Sequence, residues 1–489
     1  MRIHRIHGVE PRRFAGSRSR MNWSEKPLEP LKMRGEHSSA ARGRKIPRNS
    51  PFLMVLGCCL CLLAGLICNL PLSLAFEPLK GDMSTFDPTH QVFPTSGDTI
   101  RVGLLMPFSG SGAFYGELSW LVLGWVVHDI NSQGGILVDG KKKKIQIIKG
   151  DTQVKPEIAK RVAERLCLEE KVEVMIGTSG SHINLVGQGV AAKYKRIYTN
   201  FTALSESLHD GRNFNRYTFR TCGTTATLAS ALAYYYSTRP ERKFYILCQD
   251  YVFGHDLGEG FKKYLKQYSP GAKIVGEDYH PLWVKDFAPY LTKVQGSGAE
   301  VIFTGEWGAD AESLIKQSRQ MGMTIPLAGP NMDDPLTLEA IGGPAGRGIV
   351  VVAFHQCSSD HPRTKAFNDL WHEQWKRWKK PYDSESYAWP VMGRPISSFY
   401  WLFDVIQRAG STDPEKIIQV WEGDEYHSVT GALLKMRVCD HQAIQDLYVS
   451  QLDFPTKWYD KSAGYTKAFV VPSRFCMPPI AEDLERCKK

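Results

Sequence analysis

The alternation of short apolar runs with longer amphipathic segments constrains the fold of this chain more than any other feature. Residues 100–106 form an apolar run of strand length that ends at Pro107, and residues 113–132 carry apolar side chains at helical spacing. Similar pairs follow as far as residues 349–353. Strands that alternate with helices of this length predict β-α-β units and parallel sheets. The chain is therefore predicted to have an α/β fold.

The alternation occurs in two runs, and the boundary between them is a Thr- and Gly-containing stretch near residues 221–225. Two runs predict two lobes, each with a doubly wound parallel sheet. The last third of the chain is richer in helix patterns. Its segment 365–379 carries an aromatic stripe at helical spacing, which is typical of core packing.

The N-terminal region has the pattern of an export signal. Residues 1–50 contain 13 basic and 4 acidic residues, and they account for most of the net charge of +10. An uncharged apolar run at 51–68 and a small-x-small exit at Ala75 complete a secretory signal, so we predict a leader over 1–75, cleavage after Ala75 and a linker over 76–98. A retained membrane anchor is the alternative. Because the remaining chain is nearly neutral, no nucleic-acid partner is predicted.

Cysteine usage gives no sign of a metal centre. Seven cysteines follow the predicted signal, without a CxxC pair or a Cys/His cluster of zinc spacing, so no metal site is predicted. Some thiols should pair in an oxidising compartment. Cys476 and Cys487, close together in a Pro-rich tail, are candidates for a local disulfide, whereas Cys248 in an apolar run is predicted to be a buried thiol.

Motifs that would indicate an enzyme are weak or missing from the sequence. The glycines of 110–116 follow a predicted strand, as in a dinucleotide-binding fingerprint, but three residues separate that strand from the first glycine. Asp151 also lies about 40 residues further on, where the fingerprint places its acidic residue after about 20. The chain has no Walker A loop, GxSxG or HExxH. We therefore predict neither a catalytic activity nor a cofactor.

Short motifs in a fixed order carry a family resemblance. The motifs are 107–116, 129–136, 149–152, 176–181, 219–221, 250–254, 286–287 and 317–322. Over roughly residues 99–470 they resemble the leucine/isoleucine/valine-binding family of periplasmic proteins. The resemblance implies the type I periplasmic-binding-protein fold with three crossovers. The implied division is lobe 1 at 99–221 plus 355–428, lobe 2 at 225–353 plus 429–470, and a C-terminal tail at 471–489.

The resemblance also implies a function. Such a protein is an extracytoplasmic, monomeric solute-binding protein of an ABC uptake system, with a membrane permease as partner. It closes by a hinge around a small organic ligand, which could be an organic or aromatic acid, an amide or an amino-acid-like molecule. Two alternatives stay open: an amide or amino-acid sensor of the same fold, and branched-chain amino-acid binding proper.

The expected ligand contacts lie in loops that follow strands, where helix N-termini offer free N–H groups. By resemblance, Ser181 grips the ligand carboxylate, and residues 202–204 bracket its polar head. Tyr115 and Trp307 form aromatic walls, and Phe253 takes a tyrosine position. The complete predicted set is Tyr115, Ser181, Thr202, Ala203, Leu204, Thr225, Phe253, Trp307 and Asn331.

Two of these positions depart from the pattern of amino-acid binders. Asn331 and Thr225 stand where those proteins carry a glutamate and an aspartate. A buried ammonium needs a carboxylate partner, because an unpaired buried charge is very costly. The nearby carboxylates that could substitute are Asp333, Asp334 and Glu306. If none does, we expect a flat or apolar organic acid or an amide instead of an α-amino acid.

Overall fold

The computed structural model describes residues 75–355, 361–388, 393–456 and 459–488. The predicted leader, apart from Ala75, lies outside these residues, as does the apolar run at 51–68. Within the described residues, no helix combines the length and the apolarity needed to cross a membrane.

The first sheet has six strands in the order β2-β3-β1-β4-β5-β6 and is parallel except for the β2–β3 hairpin. Helices connect its central strands, as the sequence predicts. The elements are β1 Thr99–Met106, α1 Ala113–Ser132, β2 Ile136–Val138, β3 Lys141–Asp151, α2 Pro156–Leu168, β4 Val174–Gly177, α3 Ser181–Lys193, β5 Ile197–Asn200 and β6 Thr218–Arg220.

The second sheet contains eight strands: seven follow the order β16-β15-β11-β10-β9-β7-β8, and the eighth, β17, pairs with β15. Strands β7 to β11 are parallel, and β15 runs antiparallel to β11. The elements up to β11 are α4 Thr225–Ser237, β7 Lys243–Gln249, α5 Val252–Tyr268, β8 Lys273–His280, α6 Ala288–Ser297, β9 Val301–Thr304, α7 Gly308–Gln320, β10 Leu327–Gly329, α8 Pro335–Ile341, α9 Gly343–Gly346 and β11 Val350–Ala353.

The chain then returns to the first lobe through helices and a small antiparallel sheet, β12-β13-β14, before it re-enters the second sheet. The aromatic stripe is core, as predicted: Phe367 and Trp371 are fully buried with Trp125 and Trp401 in the first lobe. The elements are α10 Pro362–Trp375, α11 Glu385–Ala388, α12 Gly393–Ala409, α13 Pro414–Trp421, β12 Glu425–His427, β13 Leu433–Met436, β14 Ala443–Ile444, β15 Leu447–Asp453, β16 Gly464–Tyr465 and β17 Phe469–Val471.

The last change of lobe comes later than the predicted residue 429. Leu434, Met436 and Ala443 are buried in the hydrophobic core of the first lobe, together with Trp401. The chain enters the second sheet only at β15. The small sheet belongs to the first lobe because its apolar face packs on the helices there.

Residues 76–98, predicted as a linker, are docked on the first lobe. Phe76 is buried, and its N–H donates to the side chain of Gln407 over 2.9 Å. The Asp129 carboxylate accepts from the N–H groups of Leu79, over 2.9 Å, and Gly81, over 2.5 Å. A buried carboxylate with several donors is well satisfied, which explains why this polar segment lies against the lobe.

The C-terminal tail crosses from the second lobe to the first. Phe475 stacks on Tyr234 of α4, with ring centroids 4.3 Å apart, and Arg486 pairs with Glu422 after α13. The disulfide joins Cys439 to Cys487, so the predicted pairing of Cys476 with Cys487 is wrong. Cys476 is a buried free thiol, as is Cys248, for which burial was predicted. Sequence proximity is a poor guide here because the tail folds back onto the loop after β13.

Candidate ligand-binding site

A cavity lies between the lobes at the carboxyl ends of the parallel strands. Loops that follow β4, β5, β7, β9 and β10 surround it, together with the start of α1. This edge of a parallel sheet is where α/β proteins hold their ligands. The lining residues are Tyr115, Ser179, Gly180, Ser181, Thr202, Ala203, Leu204, Tyr251, Phe253, Trp307 and Asn331.

The loop between β4 and α3 provides hydroxyl groups to the cavity. Gly180 has φ of 86°, a conformation that favours glycine, and no described side chain caps the first turn of α3. Ser181 is buried, and its Oγ accepts from the Ser205 N–H over 3.2 Å. The buried hydroxyl of Ser179 has no hydrogen-bond partner among the described residues. The helix N-terminus and this hydroxyl together suit an anionic group.

The segment after β5 is shaped by one buried asparagine. The Asn200 Oδ1 accepts from the N–H groups of Thr202, over 3.1 Å, and Ala203, over 2.9 Å. Its Nδ2 donates to the Ala203 carbonyl over 2.8 Å. These bonds hold residues 202–204 in a fixed turn against the cavity, so the Thr202 side chain is positioned before any ligand arrives.

The second lobe contributes an aromatic wall. Trp307 precedes α7, and its Nε1 donates to the Tyr251 hydroxyl over 2.9 Å. Phe253 lies 5.8 Å from Tyr251 and Trp283 lies 5.1 Å from Trp307, measured between ring centroids. Close packing between aromatic rings favours a rigid surface against which a flat ligand can lie.

The two lobes contact each other around the cavity. Tyr115 of the first lobe packs edge-to-face on Trp307, with centroids 5.5 Å apart, and its hydroxyl donates to Asp334. The Ser205 hydroxyl donates to Asp256 of α5. These contacts join the two lobes beside the cavity, so the lobes are in a closed arrangement.

A second chamber adjoins the first and shares four lining residues with it, Tyr115, Ser179, Thr202 and Asn331. Asp333 and Asp334 line the second chamber and do not line the first.

The candidate carboxylates Asp334 and Glu306 both contact other side chains of the protein. Asp334 caps α8 by accepting from the Leu336 and Thr337 N–H groups, and it also accepts from Tyr115. Burial raises the pKa of Asp334, and these hydrogen bonds oppose the rise. Glu306 is fully buried against His280, and burial raises its pKa to about 7. Among the described residues, the lining of the first cavity contains no charged side chain.

Eight of the nine predicted site residues line one cavity, and Thr225 does not. Thr225 is buried at the start of α4, where its N–H donates to the Leu204 carbonyl over 2.8 Å and its hydroxyl to Glu206 over 3.3 Å. Thr225 therefore holds the lining residue Leu204 in position without lining the cavity itself. Tyr251 also lines the cavity and was not among the predicted site residues, although it lies in the 250–254 motif directly after a predicted strand.

Two lobes built on mainly parallel sheets enclose a cavity whose described lining carries no charged side chain. Residues 99–461 match the family described as periplasmic binding protein, and the chain belongs to that family. Members of this family are exported proteins that bind small solutes.

Curated relatives include two proteins of Pseudomonas aeruginosa. An amino acid binding protein is 26% identical over 226 residues, which cover 46% of this chain and 58% of that relative. A leucine-, isoleucine-, valine-, threonine- and alanine-binding protein is 21% identical over 343 residues, which cover 70% and 87%.

Solved structures show the same fold. A solute-binding protein of Rhodopseudomonas palustris in complex with 3,4-dihydroxybenzoic acid has a TM-score of 0.65 at 22% identity, over 77% of this chain and 98% of that one. A leucine-, isoleucine-, valine-, threonine- and alanine-binding protein of Brucella ovis in the closed conformation has a TM-score of 0.69 at 20% identity, over 79% and 98%.

Proposed function

We propose that this protein is the exported receptor of an ABC uptake system and that it binds a small aromatic or otherwise flat carboxylic acid between its lobes. The observation that carries the proposal is the lining of the first cavity, which has aromatic side chains from the second lobe, hydroxyl groups from the first lobe and no charged side chain among its described residues. An α-amino acid would bury its ammonium there without a carboxylate partner, at a high cost in free energy.

The hydroxyl side offers what a carboxylate needs. Ser179 has an unpartnered buried hydroxyl, and α3 directs its N-terminus at the same place. Hydrogen bonds to a charged acceptor contribute about 1.5–3 kcal/mol each. A ligand with one carboxylate and an apolar body would therefore place its head against Ser179 and Ser181 and its body against Trp307.

The known ligands of similar structures support the same class of ligand. Solute-binding proteins of Rhodopseudomonas palustris with this fold have been solved with 3,4-dihydroxybenzoic acid, 4-hydroxybenzoate and benzoate. The curated relatives, in contrast, are named for amino acids. The neutral lining favours the first group of ligands for this chain.

Closure would be the signal for transport. A ligand that contacts both lobes stabilises the closed arrangement, which a membrane permease then recognises. In this scheme the protein acts as a monomer outside the cytoplasmic membrane, after cleavage of the signal at Ala75, and performs no chemistry on its ligand.

Calorimetric titration of the mature chain, 76–489, tests the proposal. The panel is benzoate, 4-hydroxybenzoate, 3,4-dihydroxybenzoate, benzamide, leucine and valine. We expect the benzoates to bind most tightly, because they have the carboxylate and lack the ammonium. Benzamide matches benzoate in shape without its charge and reports what the carboxylate contributes. Tight binding of leucine or valine, with none of the benzoates, would establish the branched-chain amino-acid alternative instead.

A further inference from the structure

A second polar cluster lies in the second lobe, behind the aromatic wall. His280 ends β8, Glu306 follows β9, and Asp310 lies in the first turn of α7. All three side chains are fully buried, and one nitrogen or oxygen atom from each lies within 4.8 Å of the others. Burying three ionisable groups together is costly unless they bind each other or a further ion.

The orientation of the His280 ring places two hydrogen-bond acceptors next to each other in this cluster. Its Nδ1 lies 2.9 Å from the Pro281 carbonyl, which can only accept, so Nδ1 carries a hydrogen. The neutral imidazole then presents a lone pair at Nε2, which lies 2.9 Å from the Glu306 Oε1. Two acceptors at this distance require a proton or a cation. Histidines that bind metals are commonly oriented by such a carbonyl.

The carboxylates of Asp310 and Glu306 each have one oxygen without a hydrogen-bond partner among the described residues. The Asp310 Oδ2 accepts from the Gln249 amide over 2.5 Å and from the Trp283 N–H over 2.9 Å. The Asp310 Oδ1 and the Glu306 Oε2 are buried without a hydrogen-bond partner among the described residues. Donors therefore fix one oxygen of Asp310, whereas Glu306 meets only the His280 imidazole, and one oxygen of each carboxylate has no hydrogen-bond partner among the described residues.

We propose that His280, Glu306 and Asp310 bind a divalent transition-metal ion. One imidazole nitrogen and two carboxylates suit Zn²⁺ or Mn²⁺, whereas Ca²⁺ prefers six to eight oxygen ligands. Bonds of about 2.1 Å hold ligand atoms at most about 4.2 Å apart, so the side chains would move inward by about half an ångström on binding. The Pro281 carbonyl and the Gln249 amide would hold the ligands in orientation.

The site would stabilise the aromatic wall. Glu306 immediately precedes Trp307, and Asp310 follows it within one helical turn. An ion that joins β8, β9 and α7 would fix the backbone that carries Trp307. This role goes beyond solute binding and does not depend on which solute is bound.

A proton shared between His280 and Glu306 is the competing explanation, and Glu306→Gln distinguishes the two. A glutamine amide donates to the His280 Nε2 without any proton or metal, so the shared-proton explanation predicts a variant as stable as wild type. A metal site would lose an anionic ligand and its ion. Glu385→Gln is the matched control, because Glu385 is also a buried carboxylate but accepts from the N–H groups of residues 460–462.

The experiment is elemental analysis of untagged mature protein after incubation with Zn²⁺ or Mn²⁺ and removal of excess ions, without any solute. We expect about one ion per chain in wild type and Glu385→Gln, and less than about a tenth of an ion in Glu306→Gln. Melting temperatures with and without EDTA should differ for the first two proteins and agree for Glu306→Gln.

A wild-type protein that holds no ion, and whose melting temperature is indifferent to EDTA, would overturn the proposal. Equal metal contents in wild type and Glu306→Gln would also overturn it, because the ion would then lie elsewhere. If Glu306→Gln fails to fold, Asp310→Asn serves as the second variant. None of these outcomes depends on the solute titrations, so the two proposals can fail separately.

Discussion

The two walls of the ligand cavity differ in chemistry, although both are built from loops at the carboxyl ends of parallel strands. The first lobe presents short polar side chains, among them Ser179, Ser181 and Thr202, on a backbone held by Asn200. The second lobe presents Tyr251, Phe253 and Trp307. The difference indicates a division of labour: the first lobe recognises the polar head of the ligand, and the second covers its apolar body when the lobes close.

The largest expected effect comes from removing the aromatic wall. Trp307→Ala should weaken benzoate binding by about 30- to 150-fold, or about 2–3 kcal/mol, because a buried aromatic at the centre of a contact carries much of the affinity. Calorimetry provides the measurement. Trp378→Ala is the control, since Trp378 packs in the core of the first lobe away from the cavity. An unchanged dissociation constant in Trp307→Ala would remove the aromatic wall from the mechanism.

Removing a hydroxyl from the opposite wall should have a smaller effect. We expect Ser179→Ala to weaken benzoate binding by about 10-fold, which corresponds to one hydrogen bond to a charged group. Thr178→Ala is the neighbouring control: its hydroxyl is also buried and unpartnered among the described residues, but it does not line the cavity. Similar losses in both variants would show that the local fold, and not the hydroxyl, is responsible.

Contacts between the walls should matter less again. Asp256→Asn weakens the hydrogen bond that Ser205 makes across the lobes, so we expect about a 3-fold loss of affinity and a larger radius of gyration in X-ray scattering of the ligand-bound protein. Asp286→Asn is the control, because the Asp286 carboxylate accepts from Ala288 within the second lobe. Identical scattering and affinity would mean that closure does not use this contact.

The smallest effect on benzoate binding is expected from Asp334, one of the carboxylates that could pair with the ammonium of an amino-acid ligand. Asp334→Asn should change benzoate affinity by less than about 2-fold, because asparagine caps a helix as well as aspartate does and can still accept from Tyr115. The same titration with leucine completes the test. A dissociation constant for leucine that rises strongly in this variant would assign Asp334 to an amino-acid ligand and would contradict the division between the walls.

Much of this comparison could be predicted from the sequence. Strand-length apolar runs predicted the sheets, and the loops that follow them predicted where a ligand would lie. Eight predicted residues therefore line one cavity, although their contacts with a ligand stay predictions. Tyr251 was missed because the resemblance pointed to Phe253, and the two side chains share one wall.

Long-range pairing was beyond the sequence. Nothing local in residues 76–98 shows that Asp129 will accept from their backbone, and nothing near Cys487 indicates Cys439 as its partner. The sequence also does not predict the cluster of His280, Glu306 and Asp310, because its members lie on separate segments that only the fold of the second lobe brings together.

The disulfide between Cys439 and Cys487 makes the attachment of the C-terminal tail depend on redox conditions. Reduction breaks the covalent bond to the first lobe and leaves weaker contacts, such as the ion pair between Arg486 and Glu422. A mild reductant would therefore loosen the attachment of the C-terminal tail, which contacts both lobes. In a reducing compartment the tail would be held by those weaker contacts alone, because this cross-link persists only under oxidising conditions.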